Sequence, residues 1–329
     1  MKNTIPIIAA AILLGAAAAA IFAPSGGIGR AIPVLMYHNV ESNPANVWAV
    51  STEEFKMQMA ALKKQGYTSV LPEDLRGGLF RRLPKKPIVL TFDDGFLGCL
   101  ENAEPILKEH GFRGIIYVID SFTAETPAER KTFDGRECLS WQEIRGMQAR
   151  GAFAFGIHSF DHSKDKRREA AELWRCRYNF KDKTGVKTFD YCYPYGGAPD
   201  YLVDEVRKRK YKTGMICADK LFTIAKDTDW LKIPRVSVYG GKHDFKVVPS
   251  GAVEDGIFSA KITNNGVPLP MKIILRSKDA DIAWKQEHPA IHRIGATGLV
   301  CSWRDIPEHL APEMLAVELW EQNGLWRYW

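Results

Sequence analysis

The chain has 329 residues, 46% of them hydrophobic and 26% charged, with a formal net charge of +6 at neutral pH. That length suffices for one large domain and a smaller one, each able to bury a core. The composition is that of a globular protein, and the mild positive charge, with no block of five or six like charges and no nucleic-acid motif, argues against a nucleic acid as partner. The densest basic runs, KDKRRE and RKRKYK, fall in helix-like segments and read as solvated faces, with an anionic membrane or polymer as the weaker alternative.

At the N-terminus Lys2 precedes an apolar stretch from Ile5 to Ala23, closed by Pro24-Ser25-Gly26-Gly27. This predicts an export signal, cleaved after the small residues Ala16 to Ala20 or, since about 19 apolar residues approach one membrane span, kept as a membrane anchor. The folded part is then expected to be exported, in a periplasmic or other extracytoplasmic space, with residues 1–25 outside the fold. Six cysteines, Cys99, Cys138, Cys176, Cys192, Cys217 and Cys301, show no CxxC spacing. They could pair in an oxidising compartment; buried free thiols are the preferred reading, and they are not taken as metal ligands.

From residue 31 onward short apolar runs alternate with amphipathic stretches. The runs are IPVLMYH (32–38), PIVLTFDD (87–94), RGIIYVID (113–120), AFAFGIHS (152–159), KTFDYCYPY (187–195), KTGMICAD (212–219) and IPRVSVY (233–239). Their near-continuous apolar character predicts strands buried on both faces. Phe55, Met59 and Leu62 follow a Ser51-Thr52-Glu53-Glu54 start, which predicts a capped helix. Further helices are expected over about 98–110, 140–150, 163–182 and 199–210, with Gly111, Gly151 and Gly185 as C-terminal stops. Strand-helix alternation implies parallel pairing, and seven such strands predict an α/β fold, a distorted (β/α)7-type barrel over residues 30–242.

After residue 243 the runs GIFSAKI, MKIILRS and LAVELWEQNGLWRYW are strand-like, and Asn265-Gly266 and Asn323-Gly324 are hairpin signals. A small accessory β-rich module over 243–329 is expected. Its Trp284, Trp303, Trp320, Trp326 and Trp329 could stack on sugar rings if exposed, or form the module's own core, the preferred reading.

In a parallel barrel the side chains that converge on one rim are those at the C-terminal ends of the strands. The proposed strands end in His38, in Asp93-Asp94, in His158 and in Pro194-Tyr195-Gly196. His158 and His162 stand four apart in HSFDH; if the chain turns helically there, both imidazoles lie on one side. With one carboxylate they make a two-histidine, one-carboxylate set suited to Zn²⁺ and related divalent ions, with a coordination position left for water. Asp93 and Asp94, being adjacent on a strand, are poorly placed to flank a sugar bond as a glycosidase pair. A bend at Gly95 would instead send one carboxylate to the cation and leave the other beside its water. The alternative is that Asp94 only caps the following helix.

The motifs TFDDG (91–95), HSFDH (158–162) and YPYG (193–196) resemble those of the polysaccharide deacetylases of carbohydrate esterase family 4, over roughly residues 30–240. VLMYHNV (34–40) is further similar to the subgroup that deacetylates exopolysaccharide poly-N-acetylglucosamine, in which the barrel is circularly permuted. The resemblance implies Asp93 as general base, Asp94, His158 and His162 as metal ligands and His38 as general acid; the chemistry of the step adds the expectation that the oxyanion rests on the metal and on the backbone N–H of Tyr195. The resemblance implies a metal-dependent hydrolase that removes N-acetyl groups from an extracytoplasmic N-acetylglucosamine polysaccharide by attack of a metal-bound water, with zinc as the expected ion and cobalt, nickel or iron as alternatives. A non-catalytic sugar-binding or export protein on the same fold is the alternative, as is a deacetylase of peptidoglycan or a lipid-linked sugar. Three positions depart from the family pattern. The arginine expected just ahead of Pro-Tyr-Gly is replaced by Tyr191-Cys192-Tyr193; Asp227, Asp229 and Trp230 match the fourth motif only loosely; and His243 competes with His38 for the role of acid.

Overall fold

The computed structural model describes residues 31–240 apart from 45, 47, 78–82 and 219, and beyond them 245–254, 257–264, 272–277, 285–287, 290–293, 298–307, 315–321 and 324–328. The apolar segment at 5–23, His243, Trp284 and Trp329 lie outside the described residues. Among those described, no helix is long and apolar enough to cross a membrane.

Seven parallel strands form the first unit: β1 (Val34–Tyr37), β2 (Pro87–Phe92), β3 (Gly114–Val118), β4 (Phe153–Ile157), β5 (Asp190–Cys192), β6 (Thr213–Cys217) and β7 (Ile233–Ser237). Each coincides with one of the apolar runs. Going round, the order is β1-β7-β6-β5-β4-β3-β2, and β2 pairs again with β1, so the barrel closes. A short additional strand, Thr68–Ser69, runs parallel to β2. Every residue of β1, β2 and β3 is buried, as strands enclosed on both faces require. One continuous apolar cluster links Val34, Val89, Ile115, Tyr117, Cys192, Met215 and Ile233, with Ala154 packed against it, so all seven barrel strands feed the same packed cluster.

Helices α1 (Thr52–Lys64), α2 (Glu104–His110), α3 (Trp141–Arg150), α4 (Lys166–Thr184) and α5 (Asp200–Lys208) occupy the expected segments. Ser51 caps α1 and Ser140 caps α3, each in a full capping box with the glutamate three residues on, Glu54 and Glu143. Gly111, Gly151 and Gly185 end α2, α3 and α4 in the left-handed conformation, where a side chain would be strained. A short helix, Pro72–Gly77, and a hairpin of Thr132–Phe133 with Arg136–Glu137 are additions that the apolar pattern does not announce.

Cα proximity separates the residues after Gly240 from the barrel as a second compact unit. Its strands are β8 (Phe245–Glu254), β9 (Ile257–Asn264), β10 (Lys272–Ser277), β11 (Lys285–Glu287), β12 (Ala290–Arg293), β13 (Gly298–Trp303), β14 (Leu315–Glu321) and β15 (Gly324–Tyr328). They form two four-stranded antiparallel sheets, β8-β9-β13-β12 and β11-β10-β14-β15. Asn265 and Gly266, where a hairpin is expected, lie outside the described residues; β9 and β10, on either side of them, belong to different sheets. The hairpin expected at Asn323-Gly324 joins paired strands, β14 and β15, with Gly324 opposite Glu321. Trp303 is buried against Phe258, with ring centroids 6.1 Å apart, and so serves this unit's core.

Candidate active site

At the C-terminal end of β2 the backbone bends one residue earlier than a glycine-only turn would allow. Asp94 and Gly95 both have φ of 70°. The left-handed Asp94 breaks the strand alternation, which is how two adjacent carboxyls come to be buried on one rim, Asp93 at 2% and Asp94 at 7% exposure. The Asp93 N–H is anchored to Tyr37 O of the neighbouring β1 at 2.9 Å.

The HSFDH segment is not a helical turn. Ser159 and His162 are themselves left-handed, with φ of 65° and 57°, and the His162 N–H donates to Ser159 Oγ at 3.0 Å. This compact loop, rather than an i,i+4 helix face, puts the two imidazole centroids 4.9 Å apart. His158 Nδ1 lies 2.8 Å from the carbonyl oxygen of Cys192. A carbonyl only accepts, so Nδ1 carries the proton and the Nε2 lone pair is left facing Asp94 Oδ1 at 3.5 Å; His162 Nε2 lies 3.6 Å from the same oxygen. Asp94 Oδ1 is buried with no hydrogen-bond partner.

One carboxylate oxygen and two imidazole nitrogens, all within 4.8 Å of one another, therefore converge on one point. Burial pushes the Asp94 carboxyl well above the usual carboxylate range, and the Asp93 charge adds to it. Burial also holds His158 down to about 3 and His162 to about 4, so both imidazoles are neutral at pH 7. An unpaired buried oxygen facing two neutral imidazoles is a donor set that fits a divalent cation. A second grouping, Asp93, His158 and Cys192, fits poorly. Burial drives the Cys192 thiol well up, so it stays protonated, and the Asp93 oxygens are already taken.

They are taken by Arg235. From the middle of β7 its guanidinium meets the carboxylate fork to fork, Nη1 to Oδ1 at 2.7 Å and Nη2 to Oδ2 at 2.8 Å, with a further bond from Nη1 to Thr91 Oγ1 at 3.0 Å. Cys192 Sγ sits 3.5 Å from both Asp93 oxygens. Burial alone would raise the Asp93 carboxyl; the paired guanidinium outweighs it and holds the group well below the usual range. The arginine absent ahead of Pro-Tyr-Gly is thus supplied by another strand. Its signal in the sequence is one charged residue in the otherwise apolar run IPRVSVY, since an arginine is almost never fully buried unless paired.

His38, at the end of β1, is near enough to Asp93, Arg235 and His162 to feel their charges, and burial lowers it to about 4. Its ring packs 4.8 Å from that of Trp48, which is 40% exposed. Tyr195 is left-handed, with φ of 58°, and its ring, 57% exposed, lies 4.5 Å from that of His162. In that turn the Gly196 and Gly197 N–H groups donate to Tyr193 O and Pro194 O, while the Tyr195 N–H has no backbone partner among the described residues. Phe133, from the hairpin after β3, packs 5.1 Å from His162. Trp48 and Phe133 at the rim, and Arg235 from within the barrel, are thus site residues that motif reading does not reach. The loosely matching Asp229 and Trp230 do local work: Asp229 accepts the Leu231 N–H and Trp230 packs on Phe222.

Residues 80–214 match the family model described as polysaccharide deacetylase. A relative from Bacillus subtilis (strain 168) is 24% identical over 192 residues, 56% of this chain and 63% of its own length. The poly-β-1,6-N-acetyl-D-glucosamine N-deacetylase of Escherichia coli (strain K12) is 26% identical over 254 residues, 62% of this chain and 36% of its own. The chain thus spans less than two thirds of the length of both. The structure of IcaB from Ammonifex degensii superposes with a TM-score of 0.55 at 26% identity, covering 64% of this chain and 92% of that one.

Proposed function

We propose, from the premise that the chain carries a polysaccharide deacetylase domain, that it hydrolyses N-acetyl groups on an N-acetylglucosamine polymer outside the cytoplasm. The observation that carries the reading is the pairing of two unlike carboxyls on one rim: Asp94 facing His158 and His162, and Asp93 held ionised by Arg235. The names of the Escherichia coli and Staphylococcus aureus relatives, both poly-β-1,6-N-acetyl-D-glucosamine N-deacetylases, support the polymer class. The domain limits we propose are a barrel over 30–242 and an accessory module over 243–329.

Asp94, His158 and His162 would hold a divalent cation, zinc being the ion their donor set suits best. Such a cation supplies Lewis acidity to a carbonyl oxygen and acidifies a neighbouring water. Asp93 takes the proton of the attacking water on a carboxylate oxygen; each oxygen keeps one lone pair beyond its bond to Arg235, and the single Cys192 S–H can donate to only one of them. As the water oxygen bonds to the acetamide carbon, negative charge grows on the carbonyl oxygen, and the Tyr195 N–H donates to it. His38 delivers a proton to the sugar nitrogen as the C–N bond breaks, giving acetate and a free amine. Burial keeps this ring neutral in the free protein. As negative charge develops beside it the ring gains basicity and takes up a proton from solvent, which it passes to the nitrogen, while Asp93 returns the water's proton to solvent once acetate has left. A protein that only bound sugar would have no use for an ionised Asp93 at the cation's edge.

The test is acetate release from β-1,6-linked N-acetylglucosamine oligomers. Chelation should abolish release and zinc restore it; Asp94→Ala should remove both bound metal and activity. Asp93→Asn should keep the metal and lower kcat/KM by about 10²–10⁴-fold. Oligomer binding without release by the metal-loaded protein would make it a sugar-binding protein instead.

A further inference from the structure

Beside the HSFDH loop, whose Phe160 lines it, lies a cavity of about 500 Å³ between the segment after β3 and helices α3 and α4. Asp120 lines it, 8% exposed, and its Oδ2 has no hydrogen-bond partner, while Oδ1 accepts from Asn179 Nδ2 of α4 at 2.8 Å. A buried carboxyl with one oxygen unmet is costly unless something donates to it. The wall also offers Trp141 as a floor and, toward solvent, Lys131, Arg175 and Lys183.

The charges limit what would fit. Burial raises Asp120 to about 6 against the pull of Asn179 and of all three cations, which are therefore near enough for a cationic ligand to meet repulsion there. An anion meets the buried carboxyl itself and Glu129 on the same wall, where Glu125 and Lys183 pair with each other at 2.9 Å. What satisfies both sets is a neutral molecule dense in groups that donate and accept together. Hydroxyls do so: one can donate to Asp120 Oδ2 while a neighbour accepts from a rim cation. The volume, within the range of small-ligand pockets, has room for a sugar ring.

We propose that this cavity is a saccharide subsite that takes a hexosamine unit of the polymer other than the one being deacetylated, with Asp120 Oδ2 as its central acceptor. The identity of the sugar rests on the deacetylase reading; the site does not. Its floor is tied to the candidate centre by backbone. The Asp120 N–H donates to Ser159 O at 3.3 Å and the Ser121 N–H to Phe160 O at 2.8 Å, and Phe160 lines the cavity from the loop that carries both histidines.

The experiment is amide hydrogen exchange on the full metal-loaded chain titrated with N-acetylglucosamine hexamer, with acetate release measured in parallel. The wild type should gain protection over 119–125 and 173–183 as well as at 158–162. Asp120→Asn, which keeps the size and the Asn179 contact, should raise the midpoint of the first two at least fivefold and leave acetate release from a dimer within twofold. Arg175→Ala, at the exposed rim, gives the same reading should the buried variant fail to fold. Protection confined to 158–162, or a midpoint unmoved in both variants, overturns the subsite. Protection at the cavity without acetate release sinks the deacetylase reading and leaves the subsite standing.

Discussion

Asp93 and Asp94 are chemically identical and adjacent, yet their surroundings drive them apart: one is held ionised by Arg235, the other is pushed up by burial beside a like charge. Arg235 is completely buried, so removing one member of the pair, as Asp93→Asn does, also leaves an uncompensated charge and lowers stability by about 3–5 kcal/mol besides its effect on rate. Arg235→Lys is the cleaner probe. It keeps the charge and loses the fork, so we expect a folded protein with metal bound and kcat/KM down by about 10- to 100-fold, in steady-state acetate release across pH. Retained full activity would mean that Arg235 only neutralises Asp93 and does not orient it. A different carboxyl gives a test by stability. Burial raises Asp190 to about 6, against a pull from the Thr213 hydroxyl. An acid raised in the folded state binds more protons there than in the unfolded chain, so folding loses stability as pH rises from about 4 to about 6, and the full penalty stands above that. Asp190→Asn should therefore be more stable than wild type at pH 7.5, by about 1–3 kcal/mol, and equal to it below about pH 4, as thermal melts at the two pH values would show.

Among the elements, strands and helices are legible because burial writes itself into local pattern. Seven apolar runs became seven barrel strands, and Ser51 and Ser140 with their glutamates marked two helix starts. The turns that make the site are not legible in that way. Asp94, Ser159, His162 and Tyr195 adopt left-handed backbone that their residue types do not announce, held there by tertiary contacts. The sequence therefore suggested a helical HSFDH, and a bend beginning at Gly95. The Pro194–Gly196 turn can be probed through Gly196, at φ 69°, where a Cβ would lie 2.6 Å from both the Cβ and the backbone nitrogen of Cys217. Gly196→Ala must displace the turn and with it Tyr195. Because the side chains proposed to hold the metal stand on other loops, we expect metal content unchanged, a fall in melting temperature of a few degrees and at least a tenfold loss of kcat/KM. Loss of bound metal in this variant would show that the turn supports the histidine loop and not the reacting carbonyl.

For the molecule as a whole, alternation of strand and helix made the parallel barrel legible, but its closure was not. Closure depends on β1 pairing with both β2 and β7, a register that joins residues some two hundred positions apart and leaves no periodic trace. The Arg235–Asp93 contact is hidden for the same reason, since it crosses 142 positions. Both features nonetheless fall before Gly240, as do Asp94, His158, His162, His38 and Tyr195, and the barrel's apolar cluster lies entirely within Ile32 to Ile233. A chain ending at Gly240 thus keeps every strand-to-strand bond of the barrel and every side chain assigned to the reaction. If the boundary proposed near residue 242 is right, that shortened protein should bind metal with the same stoichiometry, melt in a single cooperative transition and release acetate from a dimer at a rate within about threefold of the full chain, because chemistry at the rim uses nothing beyond it. Its rate on long polymer measures separately what the module adds. A shortened chain that cannot hold metal, although soluble and monomeric, would place part of the barrel's stability in the residues after Gly240 and remove the boundary.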